Sequence, residues 1–412
     1  MKFFFPDSHD LVDPSFDFKT EERSPTRIRQ QHDLYAHQLF KNPPYDGLLL
    51  SKAIVDGSST TGAKYTAPQR LRLFRAGLNN FFRLNETPIK TMGDCGAFAY
   101  VREPEPPYTV DEVIDFYEKC GFDFGVSVDH IILGFVNDGD ESTIDPEVFQ
   151  EYKNRRELTI TLAREFWKMQ KKNRLKFTPV GTAQGWSPKS YADSVVKLQK
   201  MGYSRIGIGG LVPLKTNEIL AVLEAVNQKR KKTTQLHLFG VTRLDSLEAF
   251  KNFGVASFDS TSPLLHAFKH DHKNYFTAKT QYAAIRVPQV EGNAKLERRI
   301  RAGEIRQEVA VRLERGCLKK LFAFESSGRG LKPLLKVLHE YNSLFDGRKD
   351  RTPMYARTLE DQAWKNCKCA ICKKIGINVV IFRGAERNRR RGFHNLYVTH
   401  ARMQRKLRSI AS

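Results

Sequence analysis

Cysteine is scarce in this chain: six occur among 412 residues, and three of those are crowded into one short run. That excludes a disulfide-built scaffold. No apolar run reaches the length of a membrane span, and no signal-peptide core is present. The expectation is therefore a reduced, cytoplasmic protein with no membrane attachment. No repeat of 20–50 residues is visible either. Acids are the other shortage. Against 68 Lys and Arg stand 46 Asp and Glu, giving a formal charge of +22 and a pI of about 9.7. A deficit this large points to a polyanionic partner, nucleic acid first among them.

The crowded cysteines lie in "CKCAICKK", where Cys367, Cys369 and Cys372 make a C-x-C-x2-C run. Three thiols cannot pair among themselves, but three soft donors suit a metal that lacks one ligand. His394 follows Cys372 after 21 intervening residues. Together they form a closed Cys3His set, the donor set of a structural zinc, one per chain. The alternative is three buried thiols and a packed histidine, which leaves the clustering unexplained. Cys95, Cys120 and Cys317 are scattered and read as ordinary thiols. From Asn366 to Ser412 there are twelve Lys and Arg against one acid, Glu386, a net of +11 and half of the total excess. Such a run is often only a solvated face. Beside a metal site, and with "RNRRR" at Arg387–Arg391, it reads as a phosphate-contacting surface that gives affinity without sequence information.

Short β-rich runs alternate with helix-length amphipathic stretches, the pattern of an α/β protein. Candidate strands are Lys2–Phe5, Gly47–Val55, Pro88–Gly93, Phe124–Leu133, Phe177–Ala183, Arg205–Ile208, Gln235–Val241 and Val255–Phe258. Helices are expected over 109–121, 145–172, 187–202, 215–229 and 245–254, two of them closed by Gly202 and Gly254 in the usual stop position. Eight strands with helical connections suggest a (β/α)8 TIM barrel, although a doubly wound sheet would show the same alternation. The stretch "NSLFDGRKDRTP" reads as a linker, dividing a barrel domain over 1–345 from a basic zinc-binding subdomain over 346–412. Ala294–Phe322 reads as one charged helix with a solvated face.

Polar residues just after barrel strands face the catalytic mouth. The candidates are Asp94 in "TMGDCGAF", Asp129 in "GVSVDHIIL", Gln184 in "PVGTAQGW", Gly209 and Gly210 in "IGIGGLVP", and Asp259 in "ASFDSTSP". Any one of them could be a helix cap; five strand ends aimed at one mouth are harder to obtain by chance. Two other stretches are set aside. "GSSTTGAKY" at Gly57–Tyr65 resembles a Walker A loop, but Lys64 comes one residue too late, so it reads as a Gly/Ser/Thr-rich mobile loop. His266, His270 and His272 in "HAFKHDHKNY" suggest a second metal site less well than a surface cluster.

In this order, "DCGAF", "VDH", "AQG", "GIGGL", "FGV", "FDSTSP" and the C-x-C-x2-C…His run resemble the tRNA-guanine transglycosylase superfamily, over nearly the whole chain from Asp94 to His394. The N-terminal "FPDSHDLVDPSFDF" and "PYDGLLLSKAIVDG" look like its DNA-modifying branch, the DpdA-type 7-deazaguanine DNA transglycosylases. "DCGAFAY" departs from the D-S-G-G-F-Q run of the tRNA enzymes, and "FDSTSP" from F-D-C-V-x-P-T-R. The Cys372–His394 interval is shorter, and the expectation is a chain without the archaeal RNA-binding extension after His394.

The resemblance implies exchange of guanine in DNA for a 7-deazaguanine base, expected to be the 7-cyano form, preQ0. Asp259 would be the nucleophile on C1′ and Asp94 the general acid/base. Asp129, Gln184 and the Gly209–Gly210 backbone would read the base, and the zinc would be structural. An Asp94 that must hold a proton should have its pKa raised by burial near other acids. Duplex DNA would require extrusion of the target base, and the resemblance also implies a companion ATPase. The alternatives are a tRNA-guanine transglycosylase, or a zinc-dependent nucleic-acid-binding protein without activity. A metal-dependent barrel hydrolase would want histidines at strand ends, where only His130 stands.

Overall fold

Eight parallel strands close on themselves in sequence order, β1 pairing with β2 and, at the seam, with β8. In this computed structural model, which describes residues 1–7, 9–58, 62–347 and 349–410, they are β1 Lys2–Pro6, β2 Gly47–Ser51, β3 Lys90–Asp94, β4 Phe124–Val126, β5 Thr178–Ala183, β6 Arg205–Ile208, β7 Gln235–Leu238 and β8 Val255–Asp259. The closed barrel replaces the open choice left by periodicity alone. Its interior is packed rather than hollow. Phe4, Leu49, Met92, Val126 and Val180 form one buried cluster, with Phe124 and Phe239 against it. Gly47 makes room for it: a β-carbon there would lie 2.3 Å from the ring of Phe4.

Helices cover the outside where the amphipathic pattern placed them, over Val110–Cys120, Pro146–Asn173, Pro188–Met201, Thr216–Lys229 and Leu247–Asn252. Their starts are chemically marked. Thr109 and Glu112 exchange hydrogen bonds in a capping box, and the Asp145 carboxylate accepts from the N–H groups of Glu147 and Val148. Gly202 closes its helix at φ +111°, a conformation a side chain would resist.

Several boundaries differ from the sequence reading, among them the strand expected over Gln235–Val241, which ends at Leu238. The strand expected over Gly47–Val55 stops at Ser51, and Lys52–Asp56 turns into a short helix closed by a Lys52–Asp56 ion pair at 2.6 Å. The run Phe124–Leu133 is a strand only to Val126; beyond it the chain leaves the ladder and carries Asp129 into the mouth. The helix expected over Ala294–Phe322 is two helices, Ala294–Arg301 and Gln307–Ser327, because Gly303 takes φ +73° between them. They are not purely a solvated face either, since Leu296, Ala310, Cys317 and Leu321 are buried. Of the Gly57–Tyr65 stretch, residues 59–61 lie outside the described residues.

The chain forms two compact units. One holds Met1–His9, Tyr45–Thr261 and Met403–Ser412, with the barrel; the other holds Asp10–Pro44 and Ser262–Arg402. The long first connection is thereby explained, because most of it belongs to the second unit. That unit contains the helices Leu331–Asp346 and Thr352–Asp361, most of the helix Gly384–Ser409, and a hairpin of β9 Tyr275–Phe276 and β10 Gln281–Tyr282. Among the described residues no helix is long and apolar enough to cross a membrane.

The second unit overturns one expectation outright. The "RNRRR" run is not an open basic surface: Arg387, Arg390 and Arg391 are buried, as is Arg383 before them. Arg383 grips Glu21 with two bonds of 2.7 and 2.6 Å and meets Glu314 at 2.8 Å. Arg387 also pairs with Glu21 and donates to the carbonyl of Phe18 at 2.7 Å. Arg390 pairs with Glu386 and reaches the carbonyl of Asp13. Arg391 spends its guanidinium on the carbonyls of Ala267, Val379 and Ile381 and on Asn388. Burial holds Arg391 down to about 9, beside the charge of Arg286. These arginines tie segments distant in sequence together, and a phosphate cannot reach them.

Candidate active site

The mouth is built at the carboxyl ends of the strands. Asp94 and Asp259 are the last residues of β3 and β8, Gln184 directly follows β5, and Gly209 directly follows β6. Asp129 lies three residues past β4. All six expected residues, Gly210 included, belong to the barrel unit.

Asp129 is buried and its two oxygens are occupied. The Cys95 thiol donates to Oδ1 at 3.1 Å, and the Gln184 amide donates to Oδ2 at 2.6 Å. Gln184 Oε1 in turn accepts from the N–H of Ile132 at 3.3 Å. The Tyr100 hydroxyl lies 3.0 Å from both Cys95 Sγ and the carbonyl oxygen of Asp129. Burial raises the Asp129 carboxyl, while Cys95 and Gln184 pull it back. Asp94 beside it is also raised, to about 8. Burial is the main cause and the charges of Asp129 and Asp259 add to it; the N–H groups of Cys95 and Gly96 oppose. The three acids thus share one field, as the sequence reading required of Asp94.

Asp259 is held differently. Its Oδ1 accepts from His237 Nε2 and from the N–H of Gly240, each at 3.1 Å. His237 Nδ1 faces Ser257 Oγ at 2.8 Å, which fixes the ring from its other side. Oδ2 of Asp259 has no donor among the described residues. One oxygen is anchored and the other is open.

Gly209 works in another way than expected. The N–H of Gly209 bonds to the carbonyl of Ala183 at 3.0 Å and is not available to a ligand. A β-carbon on Gly209 would lie 2.1 Å from Gln184 Nε2, so the missing side chain accommodates Gln184 rather than a base. Gly210 has φ +73° and an N–H with no partner among the described residues, and a β-carbon there would meet the carbonyl of Ile132 at 2.5 Å.

In the second unit Cys367, Cys369, Cys372 and His394 converge, their donor atoms all within 4.8 Å of one another. The sulfurs stand 3.7, 3.4 and 3.3 Å from His394 Nδ1. A tetrahedral ion with metal–sulfur and metal–nitrogen bonds of about 2.3 and 2.0 Å needs an S···N edge of about 3.6 Å. The donors fit a bound metal ion. His394 Nε2 donates to the carbonyl of Phe276 at 2.7 Å, which leaves the Nδ1 lone pair for the ion. The Tyr275 ring stacks on the imidazole at 4.2 Å and 4°. Asp94, Cys95 and Asp129 also lie close together, but there the thiol already donates to Asp129, and burial raises it well above its ordinary value. A thiol that keeps its proton is a poor ligand.

No protein-family model matches the chain. A DNA-guanine transglycosylase from Salmonella montevideo is 48% identical over 408 residues, which is 98% of this chain and 97% of the relative. The chain belongs to the DNA-guanine transglycosylase family. Two residues of this transglycosylase's mouth escaped the sequence reading. Cys95 passed as an ordinary thiol, although its place next to Asp94 was a signal. His237 sits inside β7, where strand alternation alone says only that it faces the barrel axis. His130, the one strand-end histidine considered, instead meets the carbonyl of Glu103 at 2.7 Å. The rings of His266 and His270 lie tilted at 5.0 Å and those of His270 and His272 edge-to-face at 4.8 Å, and among the described residues they form no group of metal donors.

Proposed function

We propose that this chain replaces guanine in DNA with a 7-deazaguanine base, preQ0, through a covalent sugar–enzyme intermediate. The observation that carries the reading is Asp259, with Oδ1 anchored by His237 and Gly240 and Oδ2 open. In the first step Oδ2 bonds to C1′ while the C1′–N9 bond breaks, its electron pair leaving with guanine. Asp94, a carboxyl that keeps its proton to about pH 8, delivers that proton to the departing base. In the second step the incoming base attacks C1′ through its N9 and gives its proton to Asp94, and Asp259 is released. Two inversions retain the configuration. Asp129 would face the donors on the base, with the second N–H of Gln184 and the N–H of Gly210 turned to its carbonyl.

Zinc is the proposed occupant of the Cys3His cluster, where it would be structural, since all four donors come from the protein. A companion ATPase that opens the duplex and a cytoplasmic setting belong to the same reading. The test is to incubate the purified chain with DNA and preQ0 and to digest and weigh the nucleosides. Incorporation that is lost in Asp259→Ala supports the proposal. Incorporation into tRNA with unmodified DNA under the same conditions refutes the choice of polymer.

A further inference from the structure

The internal arginines raise a question of charge. Arg383, Arg387, Arg390 and Arg391 are taken up inside the second unit, so a polyanion must be met by other cations. A groove in that unit, with a volume of about 530 Å³, is lined by Lys273, Lys279, Arg357 and Arg402, with no carboxylate in its wall. The four cations come from separate elements. Lys273 precedes β9, Lys279 lies in the turn between β9 and β10, Arg357 lies on the helix Thr352–Asp361, and Arg402 on the helix Gly384–Ser409.

Among the described residues, the side chains of Lys273, Lys279 and Arg402 meet no acid. Arg357 lies over the Tyr282 ring at 5.2 Å and donates to Thr280 Oγ1 at 3.1 Å. Its nearest carboxylate, Asp361, stands 4.0 Å away and already accepts from the Tyr282 hydroxyl at 2.8 Å. Asp271, two residues before Lys273, is engaged by Lys349 at 2.7 Å and Arg286 at 3.2 Å. Four like charges around one concavity repel one another unless an anion lies between them. The space is larger than one phosphate fills. It suits several consecutive sugar–phosphate units.

The wall is also held in place. The hairpin that carries Lys279 is fixed through Tyr275 stacked on His394, through the Phe276 carbonyl on His394 Nε2, and through the Phe276 N–H on Asn395 Oδ1 at 3.0 Å. The other side is fixed by Thr358 Oγ1 donating to the carbonyl of Ala283 at 2.9 Å. Cations preset on a rigid frame lose less freedom when they bind.

We propose that this groove holds a run of the DNA phosphodiester backbone. The identity of the polyanion rests on the DNA reading above; the cationic groove does not. The experiment measures the affinity of the full chain for a duplex of about 30 base pairs, and for single strands of DNA and RNA, across a series of KCl concentrations. The variant carries Lys273→Gln, Lys279→Gln, Arg357→Gln and Arg402→Gln. Each lost phosphate contact should flatten the slope of log K against log[salt] by about 0.9 on duplex DNA, or about 0.7 on a single strand. A flattening of two to four is expected, and Lys273→Arg with Lys279→Arg should keep the wild-type slope. A neutralised variant that is folded and retains the wild-type slope overturns the groove and leaves the base-exchange reading untouched. Flattening on RNA but not on DNA overturns the choice of DNA.

Discussion

His237 Nε2 lies 3.1 Å from Oδ1 of Asp259, and the two residues come from adjacent strands of the barrel, β7 and β8. A carboxylate oxygen accepts, so Nε2 carries the hydrogen, and Ser257 takes the opposite nitrogen. The pair leaves Asp259 with one oxygen to offer. His237→Phe should lower the rate of the covalent step by about ten- to a hundredfold, the scale of one hydrogen bond to a charged group. His237→Gln, which can present an N–H, should recover part of the loss. Single-turnover kinetics would show it. A loss confined to KM, with no rescue by Gln, would refute this positioning role.

The role proposed for Asp94 sets a pH limit that can be measured. Exchange that needs its proton should decline as pH rises through about 8. Stability should follow in the same direction. In the unfolded chain this carboxyl ionises near pH 4, but in the folded chain it does so near 8, so its contribution is fully present at low pH and is lost as pH rises across that window. Asp94→Asn, with no charge to bury, should be inactive, yet should gain in melting temperature relative to wild type above pH 8 and little near pH 4. Melting curves at the two pH values decide it, and an equal difference at both would contradict the raised carboxyl.

Metal analysis of purified protein should return one zinc per chain. Cys369→Ala should be insoluble or unfolded, because a structural ion contributes its binding energy to folding. A well-folded chain with a stoichiometry near zero would remove the metal from this account.

Glu21 supports a buried arginine pair, and Glu21→Ala should leave Arg383 and Arg387 without their shared partner. The expected cost is about 3–5 kcal/mol, read as a lower denaturation midpoint. The salt slope of DNA binding should not change. If the slope fell and stability held, these arginines would be contacting phosphate after all.

Local chemistry was readable from the chain, and long-range pairing was not. The Cys3His donors stood out because three of them lie within six positions, and the eight strands because each carries its own apolar run. Asp94 and Asp259 were findable because they end such runs. His237 was not, since alternation gives the face of a strand but not the neighbour across it. The arginine run misled for the same reason. Its partner Glu21 lies 362 positions before Arg383, and nothing in either segment records the other.

That separation also sets an order of events. A chain leaving the ribosome exposes Glu21 and Asp13 long before Arg383, Arg387 and Arg390 exist to meet them. At roughly 5–20 residues per second the wait is roughly 20–70 seconds. The segment Asp10–Pro44 therefore has to stay soluble as an unfinished strand of polymer until the residues from Arg383 to Arg390 have been added. Until then Asp13 and Glu21 face water, and they gain their partners only once that arginine run has been made.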